Sequence, residues 1–193
     1  MKKILAFILA MIMMLSFAAC SGNDAPVEEN NGEGENTEET VSVGSALEVL
    51  ETVWGMFGED EKFFVVGGDF DVQAADAPGT ATDPEYIKAY LYVPEAELAN
   101  VSETASMVHG MNLNTFTVGA YKVTDAAAFA ETMHSAISDV QWMCGFPDKM
   151  VIATIGNEYA VVLFGVNDAV NPFTEKLTAA YPETVVVYDE AIA

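Results

Sequence analysis

The chain has 193 residues, seven of them basic and thirty acidic, with a formal net charge of -23 and no arginine. Nucleic-acid binding draws its affinity from lysine and arginine neutralising phosphates, so this composition excludes polyanions as partners. It also argues against docking of the protein surface on anionic lipid head groups, which leaves neutral, cationic or metallic partners.

Residues 1–19 read as a signal peptide. Lys2 and Lys3 make a short basic start, residues 4–15 are an almost unbroken apolar run, and Ala18 and Ala19 precede Cys20. The run is shorter than the roughly 20 apolar residues that cross a bilayer, so cleavage is expected rather than a permanent span. A cysteine directly after Ala18-Ala19 and before Ser21-Gly22-Asn23 resembles the lipobox of bacterial lipoproteins, with Phe17 where leucine is commoner. That resemblance implies that Cys20 receives a diacylglycerol and holds the mature chain on the extracytoplasmic face of the cell membrane. A terminus with more than one acyl chain is a stable anchor.

Residues 20–43 are rich in Asp, Glu, Asn, Gly and Thr, with hardly an apolar side chain, and cannot offset their ordering entropy by burial. They are expected to form an acidic disordered tether reaching roughly 25 Å as a flexible coil. Residues 44–193 then remain for a single globular domain.

Within that domain, Ser45 and Glu48 predict a capping box opening a helix over residues 45–57, with Leu47, Leu50, Trp54 and Phe57 on one face. Residues 63–66 suit a short strand, residues 67–83 are rich in Gly, Asp and Ala, and residues 86–93 fit strand or helix. Pro94 suits the first turn of a helix with the stripe Leu98, Val101, Ala105 and Val108, stopped by Gly110. A strand is expected over 115–123 and a helix over 125–140. Strands follow over 150–155 and 159–164, joined by a hairpin at Gly156-Asn157. Asn171 is expected to cap a helix begun by Pro172, before a last strand over 184–188.

The resulting β-α-β-β-α-β order predicts an α+β fold of ferredoxin-like, split βαβ type. The continuously apolar strands imply a sheet covered on both faces, with the N-terminal helices on the side that the crossover helices leave free.

Three segments carry a resemblance: Met107, His109, Gly110, Met111 and Asn112; Asn114 to Thr117; and residues 141–149, QWMCGFPDK. Together they resemble a group of uncharacterised surface lipoproteins of clostridial Gram-positive bacteria, domains of unknown function of which some are labelled bacteriocin transport accessory proteins. The resemblance covers roughly the last half of the chain and carries no catalytic or binding residues with it.

Few side chains could carry chemistry. With Cys20 consumed by lipid, Cys144 is the remaining thiol, and His109 and His134 are the imidazoles that could activate it. Free cysteine is usually buried, and Trp142, Met143 and Phe146 flank this one, so Cys144 is expected to pack in an apolar plug at one end of the sheet. His134 is expected on the solvent face of its helix. Met107, His109 and Met111, with Met143 and Cys144, offer soft donors for copper. On a helix, however, His109 would point away from the two methionines, so no metal or cofactor is expected. Asp69, Asp71 and Asp76 lack the pattern of a calcium loop and read as solvated. Gly67-Gly68 lacks the spacing of a phosphate cradle. The expectation is a membrane-anchored binding or accessory module for a protein or small ligand, not an enzyme. A cysteine hydrolase using Cys144 with His109 is the alternative, and a copper-binding protein the second.

Overall fold

The computed structural model describes residues 42–192; the expected signal peptide, Cys20 and most of the expected tether lie outside that range. Packing is already present at Val43, one residue before the expected boundary: its side chain rests on the core and its carbonyl accepts from the Tyr159 hydroxyl at 3.5 Å. In chain order the elements are α1 (Ala46–Gly55), β1 (Val65–Gly68), β2 (Gln73–Ala75), β3 (Gly79–Thr80), α2 (Pro84–Tyr90), β4 (Val101–His109), β5 (Phe116–Val123), α3 (Ala126–Ser138), β6 (Lys149–Ile155), β7 (Tyr159–Gly165), α4 (Asn167–Ala180) and β8 (Thr184–Ala191). The strands form one sheet in the order β2-β1-β4-β5-β7-β6-β8, with β3 also on β4, and every pairing is antiparallel. Among the described residues no helix is long and apolar enough to cross a membrane.

Successive side chains of a strand point to opposite faces, and here both directions are apolar. Val151, Ala153 and Ile155 of β6, with Val161 and Leu163 of β7, pack under α1 and α4. Met150, Ile152, Val162 and Phe164 pack on the other side under α2 and α3. Two cores thus sandwich one sheet, as the unbroken apolar runs require.

The α+β class therefore holds, but the ferredoxin-like strand order does not. In that order β8 returns beside β5; here β4 already fills that position through the pairs Val101↔Val123 to Val108↔Thr117, and β8 pairs with β6. The connections β5-α3-β6 and β7-α4-β8 then advance along the sheet in one direction from oppositely oriented strands. Right-handed crossovers must consequently place α3 and α4 on opposite faces. The two cores show this placement, so the N-terminal helices do not share a free side: α1 joins α4, and α2 joins α3.

Two local readings also change. Residues 94–110 do not form a helix; a short 3-10 turn at Glu95–Asn100 leads into β4. Leu98, Val101, Ala105 and Val108 match helical spacing by coincidence, and pairing with β1 and β5 overrides it. Ser106 is fully buried, and its hydroxyl donates to the Gly68 carbonyl while meeting the Tyr86 hydroxyl at 3.4 Å. Likewise α4 starts at Asn167, not Pro172. Its first N–H donates to Asp148 Oδ2 at 2.9 Å, a cap supplied from the loop before β6, while Asn171 accepts from Lys149 Nζ instead. By contrast, Ser45 caps α1 as expected, and Asp125, expected as the first residue of its helix, caps α3.

At one edge of the sheet β8 is long and thinly covered. Val185, Val186 and Val187 are 60%, 37% and 41% exposed, and a register shift at Ile152/Ala153 bulges the strand there. His134 is not free on its helix surface: its ring stacks on Tyr188 at 4.0 Å and its Nε2 lies 3.0 Å from Glu190 Oε2, so it fastens β8 to α3.

Of the three aspartates expected to be solvated, Asp71 and Asp76 are exposed, but Asp69 is buried and its carboxylate orders the segment between β1 and α2. Asp69 is 2% exposed and accepts N–H bonds from Thr82, Asp83, Val72 and Asp71, plus the Thr82 hydroxyl. The glycines beside it let backbones touch: a Cβ on Gly67 would lie 2.3 Å from Gly79 N, and Gly68 has φ +89. The Thr82 N–H, with those of Asp83, Val72 and Asp71, outweighs burial and holds the Asp69 carboxyl down to about 2. Its folded pKa lies below its unfolded value, so its stabilisation is complete above about pH 4 and disappears as pH falls towards 2. That is about 2 kcal/mol. Asp69→Asn should cost roughly 2 kcal/mol or more at neutral pH and flatten this part of the pH profile in urea denaturation. Wild-type stability with an unchanged acid slope would show that the loop is held by something else.

Candidate functional site

The segments 109–115 and 140–148 meet at one end of the sheet, where the connection from β4 to β5 faces the connection from α3 to β6. Trp142 anchors the second segment. Its ring meets Tyr92 edge-on at 5.6 Å and Phe164 at 5.2 Å, and Pro147 is buried. Between these two points the chain turns outward through Cys144 at φ +62 and Gly145 at φ +123. Left-handed backbone costs a non-glycine residue about 1 kcal/mol, so Cys144 needs compensation from its surroundings.

That compensation comes from two asparagines. Asn114 Nδ2 donates to the carbonyls of Met143 and Gly145, both at 2.9 Å, and Asn112 Nδ2 donates to that of Cys144 at 3.3 Å. Three successive carbonyls are therefore held by side chains 29 to 32 residues away in sequence. Asn112 Oδ1 caps the following turn by accepting from Asn114 N. His109 Nδ1 in turn accepts from the N–H groups of Met111 and Asn112, both at 3.3 Å, while its ring stacks on Phe63. Nδ1 as acceptor leaves the neutral ring with its proton on Nε2.

This arrangement corrects the expectation for Cys144. It is exposed, and the apolar plug consists of Trp142 and Pro147, while Met143 and Phe146 are 78% and 70% exposed. Phe146 and Met143 face outward because the left-handed pair Cys144-Gly145 reverses the chain between them. His109 and Cys144 do come to the same end of the fold, linked through Asn112. No hydrogen bond among the described residues joins the imidazole to the thiol, and the two line different cavities. Because 101–109 is a strand, Met107 and His109 share a face, but Met107 is fully buried in the core and Met111 is 83% exposed. Among the described residues no cluster of three His, Cys, Asp or Glu side chains could hold a metal ion.

Two cavities adjoin the outward turn. One, of about 350 Å³, is lined by Tyr92, Trp142, Met143 and Cys144. The other, of about 400 Å³, is lined by Asp69, Phe70, Tyr86, Tyr90 and His109. Both include Met111, Asn112 and Leu113, which form the ridge between them. Burial raises the pKa of the Tyr86 and Tyr92 hydroxyls, so both stay protonated. A larger cavity of about 520 Å³ lies elsewhere, between the start of α1 and the start of β4, with Glu103 on its wall. Glu103 is occupied there, accepting from Ala46 N at 3.0 Å and pairing with Lys122.

The roles of Asn112 and Asn114 were not readable from their own sequence neighbourhood, because the carbonyls they hold are supplied by another segment. Tyr86 and Tyr90 did carry a signal: once residues 84–90 are helical, their spacing stacks them on one face.

Comparison with known proteins adds no relative: no family model, no curated protein and no solved structure matches this chain.

In a Cys20→Ser background, dithionitrobenzoate should titrate Cys144 in the native protein without denaturant, and the signal should vanish when Cys144→Ala is added. The same substitution should change stability by less than about 0.5 kcal/mol, as expected for an exposed side chain. Asn114→Ala, by removing two hydrogen bonds to the turn, should cost about 1 to 2 kcal/mol and speed amide exchange in residues 143–146. Unchanged exchange there would remove the asparagine from its holding role.

Proposed function

We propose that the chain is a lipoprotein, anchored by lipid on Cys20 at the extracytoplasmic face of the cell membrane, whose folded domain is a non-catalytic binding module. The observation that carries the binding reading is the outward turn at residues 143–146. Exposed apolar side chains cost solubility, and monomeric proteins seldom cluster them without use. Here Met111, Met143 and Phe146, at 83%, 78% and 70% exposure, crown a turn that two asparagines hold in shape. A preformed apolar surface loses little entropy on binding, which favours recognition. The lipid anchor is supported by the order of basic start, short apolar run, Ala18-Ala19 and Cys20.

Two experiments test the two halves of the proposal. Cys20→Ser should abolish incorporation of an alkyne fatty acid in cells, and labelling that persists removes the anchor. A photo-crosslinking amino acid at Phe146 should give a discrete adduct on intact cells, whereas the same group at exposed Glu175 on α4 should not. Equal labelling from both positions, or none from either, argues that the turn is not a binding surface.

A further inference from the structure

The two cavities beside the turn differ in character, and the difference points to a ligand class. In the larger of the two, the Tyr86 and Tyr90 rings stack at 5.0 Å and 8°, and Phe70 meets each of them edge-on at 5.2 Å. Phe70 is 49% exposed and Tyr90 is partly exposed, while Tyr86 is buried beneath them, so Phe70 and Tyr90 are the rings open to solvent. Aromatic faces attract cations through the ring quadrupole. Asp69 is among the residues lining the same cavity, its buried carboxylate adding a negative charge behind the wall, and the exposed Asp71 stands next to Phe70 in sequence. No lysine lines either cavity. Nor can the domain easily supply one: Lys62, Lys88, Lys122, Lys149 and Lys176 are each paired with a carboxylate elsewhere. The neighbouring cavity holds no charged side chain and is walled by Tyr92, Trp142 and Met143.

We infer that these adjoining clefts bind a cationic amphipathic peptide segment of another protein, with a lysine or arginine in the Phe70, Tyr86 and Tyr90 cleft and an apolar side chain beside Trp142. This rests on the reading of the domain as a binding module and names its partner class. Charge selects the occupant. The acidic segment before residue 42 and a second copy of this chain both carry the charge that the strongly acidic domain repels. A cationic segment is attracted over the whole domain and matched locally by the rings. The ridge of Met111 to Leu113 sets the spacing, so the two anchoring side chains come from nearby positions of one segment.

The test uses the intact protein reconstituted in nanodiscs of zwitterionic lipid and a synthetic peptide of alternating leucine and lysine. Binding should shift the Trp142 emission to a saturable limit, and the shift should be missing in Trp142→Phe. Phe70→Ala and Tyr90→Ala should each weaken binding by about tenfold, and added salt should weaken it further. Equal affinity for the leucine and glutamate counterpart, or no effect of Phe70→Ala, overturns the proposal. So does quenching of Trp142 by brominated lipid before peptide is added, which would mean that these clefts face the bilayer. If the leucine and serine counterpart binds as tightly as the lysine peptide, the cationic class fails while the binding reading stands. If no peptide shifts Trp142 and the crosslinker at Phe146 also finds nothing, both fail together.

Discussion

Neither face of the central sheet can be left to water, because β6 and β7 point apolar side chains in both directions. Burying one valine or leucine is worth roughly 2 kcal/mol, so an uncovered face would forfeit most of the domain's stability. Helices must therefore lie on both sides, and with right-handed crossovers this decides where the chain goes after β7. It moves outward over β6, on the face opposite α3, and leaves β8 at the edge. The same requirement confines functional freedom to the ends of the sheet. The connection from α3 to β6 touches the core through Trp142 and buries Pro147, which lets Met143 and Phe146 project without opening either core.

The loops are ordered by polar side chains whose partners are distant in sequence, one of them buried and two near the surface. Asp69 gathers N–H groups from both ends of the segment between β1 and α2, while Asn112 and Asn114 supply N–H groups to the carbonyls of a loop about thirty residues later. Each solves the same difficulty, since backbone groups outside helices and strands still need partners. In each case a short polar side chain stands in for a missing strand. The cost of losing such a group exceeds the gain from making it, which gives these positions more influence over local shape than their size suggests.

How much of this can be read in the sequence depends on whether the deciding partner is local. Asp125 and Ser45 cap the helices that follow them directly, and the apolar runs of β6 and β7 declare their own burial, so these elements are legible. The cap of α4 comes from Asp148 across a hairpin, and β4 is a strand because β1 and β5 flank it; neither fact has a local trace. Cys144 misleads for a related reason. Its neighbours Trp142, Met143 and Phe146 are all apolar, and composition alone assigns them one burial, whereas the left-handed turn at Cys144-Gly145 sends them in different directions. The placement of Cys144 at one end of the sheet is legible; that His109 comes to the same end belongs only to the alternative reading. The asparagines that arrange it have no local signal, and of the aromatic trio beside it only Tyr86 and Tyr90 have one, in their helical spacing.

The exposed valines of β8 have a further consequence for the protein as a colloid. An eight-residue edge strand with an open row of backbone groups is a template for pairing with another chain. The bulge at Val187 twists that edge, and Asp189 and Glu190 are tied back to Lys149 and His134 instead of guarding it. The protection left is long-range: an excess of carboxylates so large that two copies repel before their edges can align. Such repulsion is only as durable as the charge itself. Acid that protonates the carboxylates, or salt that shortens their reach, removes the barrier while leaving the valines in place.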